Sequence, residues 1–201
     1  MEILPLVMLL IVGIFLLRKS EQRKRIALLG SLLSNYQIEK LMESVTNGYL
    51  RALGEKDPER REQIWRHLDT AESQLCQQFN KFSTEFSRLD ESDTRASTLS
   101  LSIPYATRMF PQASFDLRKA LAIHAHGLTL AASNPLQRTP RDKAFTLSAE
   151  LFLMQHSCHW FCNSKTIASA RLMARHQTTH AQVLAAVSPD TRVAYQTLTG
   201  V

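Results

Sequence analysis

Only three cysteines and six glycines occur among the 201 residues of this chain, and both shortages are informative. Six glycines argue against a turn-rich β fold. Cys76, Cys158 and Cys162 are too few, and odd in number, for a disulfide framework; in a reducing compartment they stay free thiols. Readable catalytic signatures are missing as well. There is no Gly-rich phosphate loop and no nucleophile elbow, and the scattered serines and histidines spell out no Ser-His-Asp arrangement. Internal repeats and low-complexity tracts are absent. Glu150 is the only carboxylate between Asp142 and Asp190, which excludes a ferritin-like di-metal site built from Glu-x-x-His motifs.

What the chain does contain is an unbroken apolar run from Ile3 to Leu17 (ILPLVMLLIVGIFLL). Arg18, Lys19, Arg23, Lys24 and Arg25 follow at once, with Glu21 the only acid among them. A secretory signal carries its cations before the apolar core and small residues at a cleavage site after it; here the cations follow and no such site is present. The run therefore reads as a membrane span. As a helix, Glu2 to Leu17 covers about 24 Å against a hydrocarbon core of about 30 Å. Snorkelling by Arg18 and Lys19 and slight bilayer thinning make up the difference. Pro5 falls in the first turn, where its missing N–H does little harm. The basic flank faces the cytoplasm by the positive-inside rule. The expected topology is a single pass through the cell (inner) membrane, N-terminus outside and about 180 residues inside.

A formal net charge of +6 invites a nucleic-acid reading, but the flank alone supplies about four of those charges, five cations less one carboxylate. Cations and carboxylates are interleaved through the rest. The flank finds its use against anionic headgroups, at about 1 kcal/mol per cation near the surface. A lipid bilayer is the implied partner, and nucleic acid is not expected.

Beyond the flank the periodicity is helical. Ser34 with Gln37 reads as a capping box before a helix over about 35–53 that Gly54 ends. Asp57-Pro58-Glu59 is a strong helix start. From it Ile64, Leu68, Ala71, Leu75, Phe79, Phe82, Phe86 and Leu89 recur at three- and four-residue steps, the cleanest period in the chain. A loop is expected over about 90–98. Leu99–Ile103 alternates like a strand but has no second strand to pair with, so extended coil and a short helix near Tyr105–Met109 are expected. Further helices are predicted at about 112–132, at about 140–186 with a break near Asn163-Ser164, and after Ser188-Pro189.

Two candidate sites follow. The first is a docking face for a membrane or cytoplasmic protein, or for a second copy of the chain, made of Ile64, Leu68, Leu75, Phe79, Phe82 and Phe86. The same phenylalanines suit a core by default. The second is the run His156-Ser157-Cys158-His159-Trp160-Phe161-Cys162, with four soft or borderline metal ligands in seven residues. With His176 it suits a zinc- or haem-binding redox or sensor protein as the alternative function, although its spacing matches neither a zinc finger nor a CxxCH haem attachment. His180 and the His124-Ala125-His126 triplet could meet this set if helices 112–132 and 140–186 pack antiparallel. A core reading, with Cys158 as a small hydrophobe, requires no ligand at all.

The chain is thus expected to be all-α: residues 1–18 a transmembrane anchor, 19–34 a basic juxtamembrane or interfacial segment, and 35–201 a cytoplasmic bundle of about five helices. The expected role is a non-enzymatic scaffold, assembly factor or accessory protein acting through contacts at the membrane, without a cofactor.

Overall fold

The computed structural model describes residues 3–99 and 103–200. It is all-α apart from one small ribbon, with ten helices among the described residues. The apolar run and its basic flank form one unbroken helix, α1 (Ile3–Leu33), about 46 Å long. It is the one described helix long and apolar enough to cross a membrane. Every large apolar side chain from Ile3 to Leu17 is exposed, so this half packs on nothing among the described residues.

A turn at Ser34–Tyr36 leads into α2 (Ile38–Gly54), and Asp57 opens α3 (Pro58–Phe86). The Asp57 carboxylate accepts the Glu59 N–H at 2.9 Å and Pro58 takes the first helical position, as the sequence predicts. The Ser34–Gln37 box does not form. Gln37 caps α2 without a side-chain bond. Its backbone N–H donates instead to Gln78 Oε1 of α3, and Ser34 Oγ donates to Ser31 O.

The expected loop at 90–98 holds a short helix, α4 (Glu91–Thr94), and a strand, β1 (Arg95–Ser97). β2 (Ser114–Asp116) pairs with it antiparallel, Ala96 opposite Phe115. Most of the predicted coil over 99–103 lies outside the described residues. The predicted short helix is present as α5 (Ala106–Met109). Asp116 ends β2 and caps α6 (Leu117–Ser133), accepting the Arg118 N–H at 2.9 Å, and Asn134 closes α6 in the left-handed conformation.

Thr139 caps α7 (Pro140–Cys162) through the Asp142 N–H. The predicted break at Asn163-Ser164 is real, and a second one was not legible. Gln177, at φ +51°, ends α8 (Lys165–His176), and a capping box from Thr179 to Gln182 starts α9 (His180–Ala186). The last described helix is α10 (Pro189–Thr199).

Two antiparallel pairs, α2 with α3 and α6 with α7, make the body. α3 packs on α6, and α7 runs through the middle, touching α1, α2, α6, α8 and α9. Leu68, Leu75, Phe79, Phe82 and Phe86 are at most 4 % exposed. The expectation of a docking face on this stripe is therefore corrected. Phe86 meets Phe161 of α7 edge-on at 6.4 Å, and Phe82 meets Tyr36 at 5.9 Å. A period this regular specifies a helix packed along its length, and this chain's own helices do the packing. Each fully buried phenylalanine contributes about 1.5–3 kcal/mol. Ile64 is only half-buried, at the edge of the same core.

Candidate functional site

The joint between α1 and the body corrects the expected 19–34 boundary. Residues beyond Ser20 do not form a separate interfacial piece; they continue α1 and dock on the bundle. Leu29 is buried in the core. Gln22 Nε2 donates to Asn163 Oδ1 at 2.6 Å, and Arg25 Nη1 donates to Phe161 O at 3.1 Å. The Arg25 guanidinium also lies over the Phe161 ring and pairs with Glu21 at 2.7 Å. Of the five expected membrane-surface cations, Arg18, Lys19, Arg23 and Lys24 are exposed, whereas Arg25 is turned into the body.

The His/Cys run disperses around α7. Its four potential ligands and His176 do not converge on one point. His156 is buried toward α8 and α9, its Nε2 3.1 Å from Ser169 Oγ, its ring stacked on His180 at 4.3 Å. Cys158 and Cys162 share the opposite face; burial raises their thiols to about 12 and about 11. Burial and the cations Arg171 and Arg175 lower His159. His176 stacks on Phe152 at 3.8 Å, with Nε2 3.0 Å from Gln155 Oε1. Among the described residues no three His, Cys, Asp or Glu side chains stand close enough to share a metal ion.

The antiparallel packing of α6 and α7 does bring histidines together, in a buried seam. His124 Nε2 lies 2.9 Å from Ser157 Oγ, and the Tyr195 hydroxyl is 3.2 Å from the same oxygen. Tyr195 continues through His180 to His156, with ring centres 6.1 and 4.3 Å apart. Desolvation holds His124 and His156 down to about 3, and His180 to about 4. The Ser157–His124 pair is not a nucleophilic dyad. Both residues are fully enclosed, and among the described residues no acid orients His124 Nδ1, which makes no hydrogen bond. His180 and Tyr195 lie 15 residues apart in sequence, beyond the reach of periodicity.

An open cleft of about 890 Å³ lies between α2 and the α7–α8 pair. Leu50, Leu53 and Phe145 line it and are 70 %, 51 % and 66 % exposed. Met42 and Phe152 deepen its apolar floor, and Lys40, Arg141 and Arg175 stand on its rim beside Glu39 and Glu43. At one end Tyr49 donates to Glu72 Oε1 at 2.6 Å, and Lys143 pairs with Glu72 Oε2 at 2.6 Å, which ties α2, α3 and α7 together. Sequence reasoning missed this cleft because its residues come from three helices. The one available signal was Leu50 and Phe145, which fall off their helices' buried stripes. No family model, no curated protein and no solved structure matches this chain.

Proposed function

We infer that this protein is a membrane-anchored helical adaptor: a scaffold, assembly or accessory factor whose α1 crosses the bilayer once and holds the body on the cytoplasmic face of the inner membrane. The observation that carries the reading is the contrast within α1. Ile3–Leu17 projects unpacked and fully apolar, while the turns after it are bonded to the body. An exposed apolar surface of this size in water is an aggregation liability, and a bilayer removes it. The exposed Arg18, Lys19, Arg23 and Lys24 support the inward orientation of the body. The hydrogen-bonded joint lets the anchor position the cleft as well as retain it, which raises the effective concentration of a membrane-held partner.

Leu10→Arg places a charge mid-run and is expected to reduce membrane integration about 100-fold, from about 2.5–3.5 kcal/mol at a helix centre. Resistance to alkaline extraction measures this; a variant as resistant as the parent chain would remove the anchor. The adaptor role is read separately by a photo-crosslinking phenylalanine analogue at Phe145. The expected outcome is a discrete adduct with one membrane-associated polypeptide in native membranes, lost in Leu50→Asp/Leu53→Asp at unchanged thermal stability. Absence of an adduct at 145, or one that survives the double substitution, argues against docking in the cleft.

A further inference from the structure

Among the described residues, eleven large apolar side chains beyond α1 are exposed, and four of them, Ile103, Tyr105, Met109 and Phe110, fall within eight residues. The neighbouring segments place this patch in space. The Tyr105 backbone N–H donates to Glu21 Oε2 at 2.9 Å. Tyr105 itself sits at φ +56°, a left-handed conformation unfavourable for an aromatic residue, so the surrounding structure holds it there. Glu21 is four residues past Leu17, about 6 Å along α1. The end of α7 lies at the same level, because Gln22 bonds Asn163 and Arg25 bonds Phe161. One end of the bundle therefore meets α1 just where its apolar run stops.

We propose that the segment from Ile103 to Phe110 is a second, interfacial membrane contact, taking a phospholipid surface as its partner. The proposal rests on the anchoring reading of α1. Headgroup and interfacial layers add about 5–7 Å on each side of the hydrocarbon core, the depth at which Tyr105 is tethered, and aromatic side chains concentrate there. The charges agree with an anionic surface. Arg108 is exposed, its guanidinium 5.6 Å above the Tyr105 ring, and Arg18 and Lys19 are exposed nearby on α1. Of the acids beside the patch, Glu21 is occupied by Arg25 and by the Tyr105 N–H, and Glu91 pairs with Arg95, which also donates to Pro111 O. Ile103 and Ala106 line one small pocket with Arg18 and Glu21 of α1, so the patch stands beside the turn where the apolar run ends. With one contact on the helix and another on the body, the bundle stands upright, and the loop at Leu136 faces water at the far end of α7, about 35 Å away.

The test uses the full chain in vesicles of mixed anionic and neutral phospholipid. Phe15→Trp, Phe110→Trp and Leu136→Trp are compared for emission added over that of Trp65 and Trp160, in ordinary lipid and in lipid brominated on its acyl chains. The expected result is loss of the added emission for Phe15→Trp and Phe110→Trp, with Leu136→Trp unaffected. If Phe15→Trp is quenched while Phe110→Trp emits like Leu136→Trp, the second contact is wrong and the anchor stands. An unquenched Phe15→Trp removes the anchor and the proposal with it. Quenching of Leu136→Trp would also overturn the proposal, because an upright body keeps that loop in water. Met109→Trp repeats the measurement should Phe110→Trp fail to fold.

Discussion

Acidification from about pH 6.5 toward pH 4 is expected to unfold the helical body. His124 and His156 are buried as neutral rings, with folded values near 3 against 6.5 for a free histidine. Below pH 6.5 the unfolded chain binds protons that the folded chain refuses, so stability falls as the pH falls, until the folded values are reached. Each such group removes about 1.4 kcal/mol per pH unit, so the pair removes about 2.7 kcal/mol per unit. His180, held near 4, acts in the same direction. Glu150 opposes them. Burial raises its carboxyl, so its protonation favours the folded state as the pH drops. One opposing carboxyl does not cancel the histidines. Against a typical total of about 5–15 kcal/mol, a loss of about 5 kcal/mol over two units is decisive. Urea midpoints followed by far-UV circular dichroism at pH 7 and pH 5 measure it. Equal midpoints would show that the seam is hydrated or already charged. His124→Gln, which cannot titrate, is expected to flatten the dependence.

Gly127→Ala is expected to lower stability by about 3 kcal/mol, whereas Gly30→Ala raises it by about 0.5–1 kcal/mol. Both glycines are inside helices, where alanine is intrinsically favoured. They differ in what a methyl group meets. At Gly30 nothing lies within 4 Å. At Gly127 a Cβ would stand 2.3 Å from Thr191 Oγ1 and 2.5 Å from Glu150 Oε2. Glu150 cannot simply withdraw, because its Oε1 accepts from the Ser188 N–H at 2.9 Å and the Ser188 hydroxyl at 2.7 Å. The clash therefore presses on the one fully buried carboxylate of α7 and on the cap of α10. For a chain of this size 3 kcal/mol corresponds to a melting temperature lower by roughly 6–12 °C. A thermal melt of the two variants decides it, and a neutral Gly127→Ala would mean that α6 and α10 can separate freely.

Whether a feature could be read from sequence depended on how far apart its residues lie. Asp57-Pro58 and Thr139-Pro140 act within one turn, and both helix starts form where the local chemistry places them. Ser34 and Gln37 looked equally persuasive, yet Gln78, some 40 residues on, takes the Gln37 N–H. A tertiary competitor of that kind leaves no local trace. The break at Gln177 was missed for a related reason. Glutamine has no special preference for positive φ, and the capping box that opens α9 is Thr179 with Gln182, a weaker signal than a proline. The ribbon of Arg95–Ser97 with Ser114–Asp116 was too short, and too widely separated, for either strand to announce the other.

The sequence alone specified the helical class, the exposed apolar run with its basic flank, and the regular stripe along α3. Those are properties of periodicity and composition, written in adjacent turns. It could not say which surface of the stripe's helix would be free. Only the packing of α2 and α6 against α3 turned an expected docking face into core, and only the meeting of α2, α7 and α8 opened a cleft elsewhere. Tertiary structure also separated the ligands of the His/Cys run. Neighbours in sequence project to different sides of α7, while His124, His156, His180 and Tyr195, distant in sequence, share one buried seam. The physical reason is the same in each case: periodicity reports that a side chain is to be buried, and the rest of the chain decides what buries it.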